Sequence, residues 1–212
     1  MLEINEIYKS VQGESTYVGL PCVFVRLTGC NLRCVWCDTA YAFNGGKKLS
    51  IEQIIDQVKS YGIDLVEITG GEPLLQKEVF LLMEKLLKKK FLVMLETGGS
   101  LSIKNVPREV IKVLDLKCPG SGEENKNDWN NLNHLSSKDQ IKFVIADRND
   151  YEWSRSVIQN YKLDKKAHIL LSPVFEKLDL KILTEWILKD NLPVRLQTQL
   201  HKHIWDKNTM GV

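Results

Sequence analysis

The chain has 212 residues, 29 Lys and Arg against 27 Asp and Glu for a formal charge of +2, and a hydrophobic fraction of 43%. That length suits one domain with a substantial core, and the near-balance of charge gives no electrostatic case for binding nucleic acid or an anionic membrane non-specifically. No apolar run approaches the ~20 residues of a membrane-spanning helix, and the acidic, h-region-free stretch MLEINEIYKSVQGE is not a signal peptide. Disordered, collagenous, membrane and secreted classes are thereby set aside, and a cytoplasmic location is expected.

In chain order, residues 23–28 (Val-Phe-Val-Arg-Leu-Thr) predict a strand from their β-branched and aromatic content. Ser50 and Gln53 form a capping-box pattern, and Ile51, Ile54, Ile55 and Val58 recur at helical spacing up to Gly62. Residues 65–69 predict a second strand. Val79, Leu82, Met83, Leu86 and Leu87 then mark a second amphipathic helix, closed by Lys88, Lys89 and Lys90. Further strands are expected near 91–95, 112–116, 140–145, 167–171 and 194–198, and helices near 107–111, 149–161 and 179–190. The polar stretch 118–137 reads as one long loop. Repeated βα units predict a parallel sheet covered by helices, either open or rolled towards a barrel, in one domain over 1–212.

Five cysteines cannot all pair with one another, and three of them, Cys30, Cys34 and Cys37, fall within eight residues. With no export signal, reduced thiolates holding a soft metal centre are the expectation. A structural zinc site would want four protein ligands, and no fourth Cys or His lies nearby. A 4Fe–4S cluster held by three thiolates leaves one iron open to an outside ligand. The alternative is three buried cysteines acting as small hydrophobes.

C-x3-C-x2-C with Trp36 before the last Cys resembles the signature of radical S-adenosylmethionine (SAM) enzymes. Thr69-Gly70-Gly71-Glu72-Pro73 resembles the motif with which that superfamily holds the methionine end of SAM. Val11-Gln12-Gly13-Glu14, Arg26-Leu27-Thr28-Gly29-Cys30, Cys37-Asp38-Thr39, Asp115-Leu116-Lys117-Cys118-Pro119 and Gln199-Leu200-His201-Lys202 narrow the likeness to the 7-carboxy-7-deazaguanine synthase family of queuosine biosynthesis, over essentially the whole chain. The motifs fall at the C-terminal ends of the predicted strands, the side on which parallel α/β folds place their sites. Gly70 and Gly71 would allow close approach of backbone to a ligand; without the cysteines the pair would read as a simple turn.

The resemblance implies a reduced partial (β/α)6 barrel, too short for six full-length helices, so that some crossovers should be stunted. It implies a lyase with a 4Fe–4S cluster on Cys30, Cys34 and Cys37, SAM and Mg2+, the last on Thr39, which would otherwise read as a capping residue. SAM contacts would come from Trp36, Gly71, Glu72, Glu96, Asp115, Leu116, Lys117 and Ser172. The implied substrate is 6-carboxy-5,6,7,8-tetrahydropterin, met by Val11, Gln12, Gly13, Glu14, Arg26, Thr69, Arg195, His201 and Val212. Glu14 suits the amino-pyrimidinone donors and Arg26 the carboxylate; without the resemblance, Arg26 could equally snorkel from a covered face. The implied chemistry is hydrogen abstraction from the substrate and Mg-assisted radical ring contraction with loss of ammonia. A flavodoxin-like reductant and a homodimer are the implied partners. Cys22 reads as core, and the roles of Asp38, His203 and Cys118 stay open. The rivals are a glycyl-radical-enzyme activase and a non-catalytic zinc-binding module.

Overall fold

The computed structural model describes residues 1–207 and 209–212. Its nine-stranded sheet has the order β3-β1-β2-β4-β5-β6-β7-β8-β9. The strands are β1 (Leu2–Val11), β2 (Pro21–Leu27), β3 (Lys47–Leu49), β4 (Leu65–Gly70), β5 (Leu92–Thr97), β6 (Ile111–Asp115), β7 (Gln140–Ile145), β8 (His168–Pro173) and β9 (Arg195–Leu196). From β2 through β9 all pairings are parallel, while β1 joins β2 and β3 joins β1 antiparallel. β3 and β9 form the two edges, so the sheet stays open: this is the reduced partial (β/α)6 barrel expected, with β9 only two residues long.

Helices α1 (Ile51–Ser60), α2 (Val79–Lys88), α3 (Arg148–Tyr161) and α4 (Leu180–Lys189) form four of the crossovers, and α5 (His201–Ile204) follows β9. The capping box at the start of α1 is present, Ser50 accepting from the Gln53 N–H while Gln53 accepts from the Ser50 N–H. The helix expected near 107–111 is absent: residues 107–110 make a turn and Ile111 already opens β6. Between β6 and β7, short 3-10 turns at Pro119–Ser121, Glu124–Lys126 and Trp129–His134 replace a helix. β1 and β3 were not expected. The register of β1 slips between Ile4 and Glu6, which breaks the alternation that would have revealed it. Among the described residues no helix is long and apolar enough to cross a membrane.

Strand alternation sorts the side chains. Val23, Val25, Leu27, Val66, Ile68, Val93, Leu95, Ile141 and Phe143 join the core beneath the helices. Phe24, Met94, Ile111 and Val113, with Cys22 and Leu65, build a second apolar cluster on the concave side. At the opposite end from the strand tips, Lys112 and Asp139 are buried together. Asp139 is 0% exposed and accepts from the Lys112 N–H (2.9 Å), the Ser136 N–H (2.7 Å) and the Ser136 hydroxyl (2.9 Å), with the Lys112 ammonium at 3.3 Å.

Asp139→Ala strands that ammonium and two backbone donors, so a loss of ~3–5 kcal/mol is expected. For a chain of this size that lowers the unfolding midpoint by roughly 6–20 °C. Thermal unfolding followed by circular dichroism checks it, and an unchanged midpoint would show that the pair holds nothing together.

Candidate active site

A cavity of about 720 Å3 opens above the concave apolar cluster, at the C-terminal ends of the parallel strands. Its size is within the ~300–1,000 Å3 typical of small-molecule sites. Alternation turns Arg26 of β2, Glu67 and Thr69 of β4, Glu96 of β5, Asp115 of β6, Lys142 of β7 and Ser172 of β8 into it. The β1–β2 turn supplies Val11, Gln12, Gly13 and Glu14, and the C-terminal segment supplies His201 and Val212.

The cysteine loop forms one wall. Cys30, Cys34 and Cys37 all line the cavity, none in a disulfide. The loop is clamped from across the mouth: the Val35 N–H donates to Ser121 O (3.0 Å), the Arg33 N–H to Glu123, and the Arg33 guanidinium lies 4.3 Å from the Phe43 ring centroid. Trp36 carries Lys177 over its ring. Burial pushes the Cys30 and Cys34 thiols up, and Lys117 opposes the shift at both. Among the described residues no group of three or more His, Cys, Asp or Glu closes on a single metal ion. Three cavity-facing thiols beside a cation fit the donor chemistry of an iron–sulfur cluster, whose coordination would deprotonate them.

The end of β4 presses against this loop. A Cβ on Gly71 would sit 2.4 Å from Gly29 O and 2.6 Å from Cys30 Cβ, so only glycine fits. The Gly71 N–H donates to Leu27 O (3.3 Å) and the Glu72 N–H to Gly29 O (2.8 Å). Glu72, expected to meet SAM, is 0% exposed and does not line the cavity. Its carboxylate accepts from the Leu74 and Gly98 N–H groups (3.0 and 2.8 Å) and the Thr97 hydroxyl, tying the tips of β4 and β5 together. Leu116 also departs from expectation. It follows Asp115 on the opposite face and is fully buried in the core, while Asp115 and Lys117 face the cavity. Arg195 lies exposed on β9 outside the cavity, because that edge strand turns the residue away from it.

Charge is dense in the cavity floor. The Lys142 ammonium donates to Glu14 (3.0 Å) and Glu96 and lies 3.8 Å from Asp115. Although burial opposes its charge, Glu14, Glu96 and Asp115 hold Lys142 protonated well above its ordinary value. Lys117 donates to Asp115 Oδ2 (2.8 Å). The other oxygen, Asp115 Oδ1, is buried and has no hydrogen-bond partner among the described residues, an acceptor fit for a ligand hydroxyl. Burial, together with Glu96 and Glu14, pushes the Glu67 carboxyl well up, against the hydrogen bond it accepts from the Gln12 amide. Lys142 and Glu67 escaped the sequence reading. Each was legible as a lone charge inside an apolar strand, Ile141-Lys142-Phe143 and Val66-Glu67-Ile68, where burial on both faces demands a partner.

The remaining residues crowd the mouth. Arg26 Nε donates to Glu6 (2.7 Å) and Nη2 to Tyr8 (2.9 Å), so Glu6 already supplies an anion. Glu14 also accepts from Gln197 (3.0 Å) and Gln199 (2.9 Å). Thr39 lines the cavity and precedes a 3-10 turn, yet its hydroxyl caps nothing and donates to Asp38 Oδ1 (3.0 Å). Although partial desolvation opposes charge, Lys202 (2.8 Å), Gln199 and Thr39 hold the half-exposed Asp38 carboxyl well below the usual range. Burial, resisted by Glu14, keeps His201 below its ordinary value. Cys22 is core. Cys118 is buried with its sulfur 3.4 Å from the Ser154 hydroxyl, and His203 is exposed against Phe175.

Comparison with known proteins gives a consistent result. The model of the radical SAM superfamily matches residues 24–162. A protein of Koribacter versatilis named 7-carboxy-7-deazaguanine synthase is 46% identical over 226 residues, covering 100% of both chains. One of the same name from Chlorobaculum tepidum is 42% identical over 214 residues, covering 100% of this chain and 97% of that one. The crystal structure of QueE from Escherichia coli shares the fold with a TM-score of 0.77 at 24% identity, over 93% of each chain.

Two cysteine variants separate loop from core. Cys34→Ala leaves two thiols in the cavity wall and is expected to abolish iron and sulfide uptake in anaerobic reconstitution. Cys118→Ala is expected to take up both as the parent does. Metal analysis and the visible spectrum read the outcome; iron retained in the first or lost in the second would show that the ligand set is different.

Proposed function

Because the chain belongs to the radical SAM superfamily and, within it, to the 7-carboxy-7-deazaguanine synthases, we propose that it converts 6-carboxy-5,6,7,8-tetrahydropterin to 7-carboxy-7-deazaguanine and ammonia. It is thus an enzyme of 7-deazapurine biosynthesis that works with a 4Fe–4S cluster and SAM. Product and ammonia together hold every atom of that substrate, so turnover needs no net oxidant. The observation that carries the reading is one cavity lined both by three loop thiols and by Glu14.

When bound, cluster and SAM supply reductive cleavage of a C–S bond and a carbon radical that takes hydrogen from the substrate. The work of the chain is to bind, orient and shield. Cys30, Cys34 and Cys37 hold the cluster. Asp115, whose Oδ1 is buried without a hydrogen-bond partner among the described residues, would hold SAM by a ribose hydroxyl, with Glu96, Lys117 and Ser172, and Trp36 and Gly71 would shape the wall at the cluster end. Glu14, with Gln12, Gly13 and Val11, meets the amino-pyrimidinone edge of the pterin, whose N–H donors suit a carboxylate acceptor. Arg26, whose Nη1 is engaged by neither Glu6 nor Tyr8, would meet the substrate carboxylate, with Thr69, His201 and Val212 completing that end. Thr39, which lines the cavity, would use its hydroxyl, together with the substrate, to hold Mg2+, a hard cation that takes oxygen donors. Holding pterin and radical source in one closed cavity is the main catalytic contribution, since orientation replaces a bimolecular encounter. A flavodoxin-like reductant, a homodimer and a single domain over 1–212 belong to the same reading.

The test is anaerobic incubation of reconstituted protein with SAM, dithionite, Mg2+ and the carboxypterin, followed by mass analysis. Appearance of the deazaguanine carboxylate with ammonia supports the reading; SAM cleavage with the pterin intact overturns it.

Glu14→Gln keeps size but turns an amide N–H towards donors, so turnover is expected to fall by roughly 10- to 100-fold. SAM cleavage without substrate should survive, and its equal loss would place Glu14 in another role.

Thr39→Ala is expected to lower turnover and weaken its dependence on added Mg2+, while Thr39→Ser retains more of both. Mg2+ titration of turnover in the three proteins decides the matter, and superposed curves would remove Thr39 from the metal site.

A further inference from the structure

Lys142 is central among the carboxylates of the cavity. Its side chain is 8% exposed, and its ammonium reaches two carboxylates that the reading above gives to different ligands. Glu14, at 3.0 Å, stands on the β1–β2 turn at the pterin end. Glu96, also hydrogen-bonded, stands on β5 at the SAM end, and Asp115 on the neighbouring strand lies 3.8 Å from the same ammonium. Glu14 Oε2 is filled by Lys142 and Gln197, while Oε1 has one hydrogen-bond donor among the described residues, Gln199, and can accept another. Two carboxylates held this way cannot rotate independently, and without the cation between them they would repel.

We propose that Lys142 is a positioning residue that binds Glu14 and Glu96 into one charged unit, so that pterin and SAM are both held by carboxylates oriented by the same ammonium. The proposal rests on the assignment of those two ends under the function proposed above. It differs from a packing role in one respect: Asp115 keeps Lys117 at 2.8 Å whether or not Lys142 is present, so the effect of removing Lys142 must pass through Glu14 for the pterin and through Glu96 for SAM.

Dissociation constants of the carboxypterin and of SAM, measured separately by anaerobic calorimetry on reconstituted protein, read this out without turnover. Lys142→Met is expected to weaken both ligands by about tenfold or more. Glu14→Gln should weaken the pterin alone, and Glu96→Gln SAM alone. In double-mutant cycles, Glu14→Gln with Lys142→Met should bind pterin little worse than the weaker single variant, and Glu96→Gln with Lys142→Met should do the same for SAM. Additive losses in either cycle would overturn the proposal. If Lys142→Met does not unfold cooperatively, Lys142→Gln, which keeps N–H donors without the charge, enters the same cycles under the same criteria. Wild-type protein that binds SAM but no pterin would overturn the functional reading and this proposal with it. Pterin and SAM binding with additive cycles would overturn the proposal alone.

Discussion

An ammonium buried among carboxylates on the concave face of an open sheet places demands on most of the molecule. Desolvating a lone cation costs several kcal/mol, and only close counter-charges offset it. Lys142 draws those charges from three separate segments: Glu14 from the β1–β2 turn, Glu96 from β5 and Asp115 from β6. Asp115 and Lys142 are direct partners in the parallel register of β6 and β7, and Glu96 lies opposite Val113. A slip of one residue in β7 would turn Lys142 into the apolar layer beneath the helices and bring Ile141 or Phe143 into the cavity. The register of the sheet and the charge pattern of the site are therefore one constraint.

That constraint divides the concave face by depth. Phe24, Met94, Ile111 and Val113 close the bottom with no polar group to satisfy. Two positions further along the same strands the residues are Arg26, Glu96 and Asp115, which find partners on neighbouring strands, Glu6 and Tyr8 on β1 and Lys142 on β7, and loops close over the strand tips to add Glu14. The β1–β2 turn and the C-terminal segment do so together. The Leu200 N–H donates to Gly13 O (2.9 Å) and the Ser15 N–H to Gln197 Oε1 (2.7 Å). A Cβ on Gly13 would come within 2.2 Å of His201 Nδ1, so the close contact of turn and tail requires glycine there.

The sequence carried the frame of this fold clearly and its exceptions poorly. The parallel strands were legible because strands covered on both faces are continuous apolar runs, and α1 because its cap and its face agree. β1 was not, since its register shift disrupts the two-residue period, and the turn at 107–110 was mistaken for a helix because five residues carry too little periodicity to decide. In the site, the resemblance named motifs but not the directions of their side chains. Leu116 lies between two cavity residues and alternation sends it the other way; Glu72 sits in a binding motif and is consumed by backbone N–H groups. Lys142 was the reverse case, a residue in no motif whose isolation in an apolar strand was itself the signal.

The crossovers that carry no α-helix among the described residues explain how a short chain still fixes its cysteine loop. In the segment between β6 and β7, Ser121 and Glu123 clamp the first half of the loop, and Asn127 binds both the N–H and the carbonyl of Lys117. Asn131 accepts from the Ile103 N–H and donates to Gly99 and Leu101, bracing the other helix-less connection. A helix would satisfy its own backbone groups; these turns leave theirs to be met by neighbours, and that is what makes them clamps. The second half of the loop has a different anchor. Asp38, next to Cys37, is held by Lys202 and by Gln199 from the tail, and the same Gln199 amide nitrogen donates to Glu14. One side chain thus spans the cluster loop and the β1–β2 turn. A ligand that donates to Glu14 Oε1 shares that oxygen with Gln199, so the occupant of the cavity and the packing of the tail against Asp38 meet at one side chain.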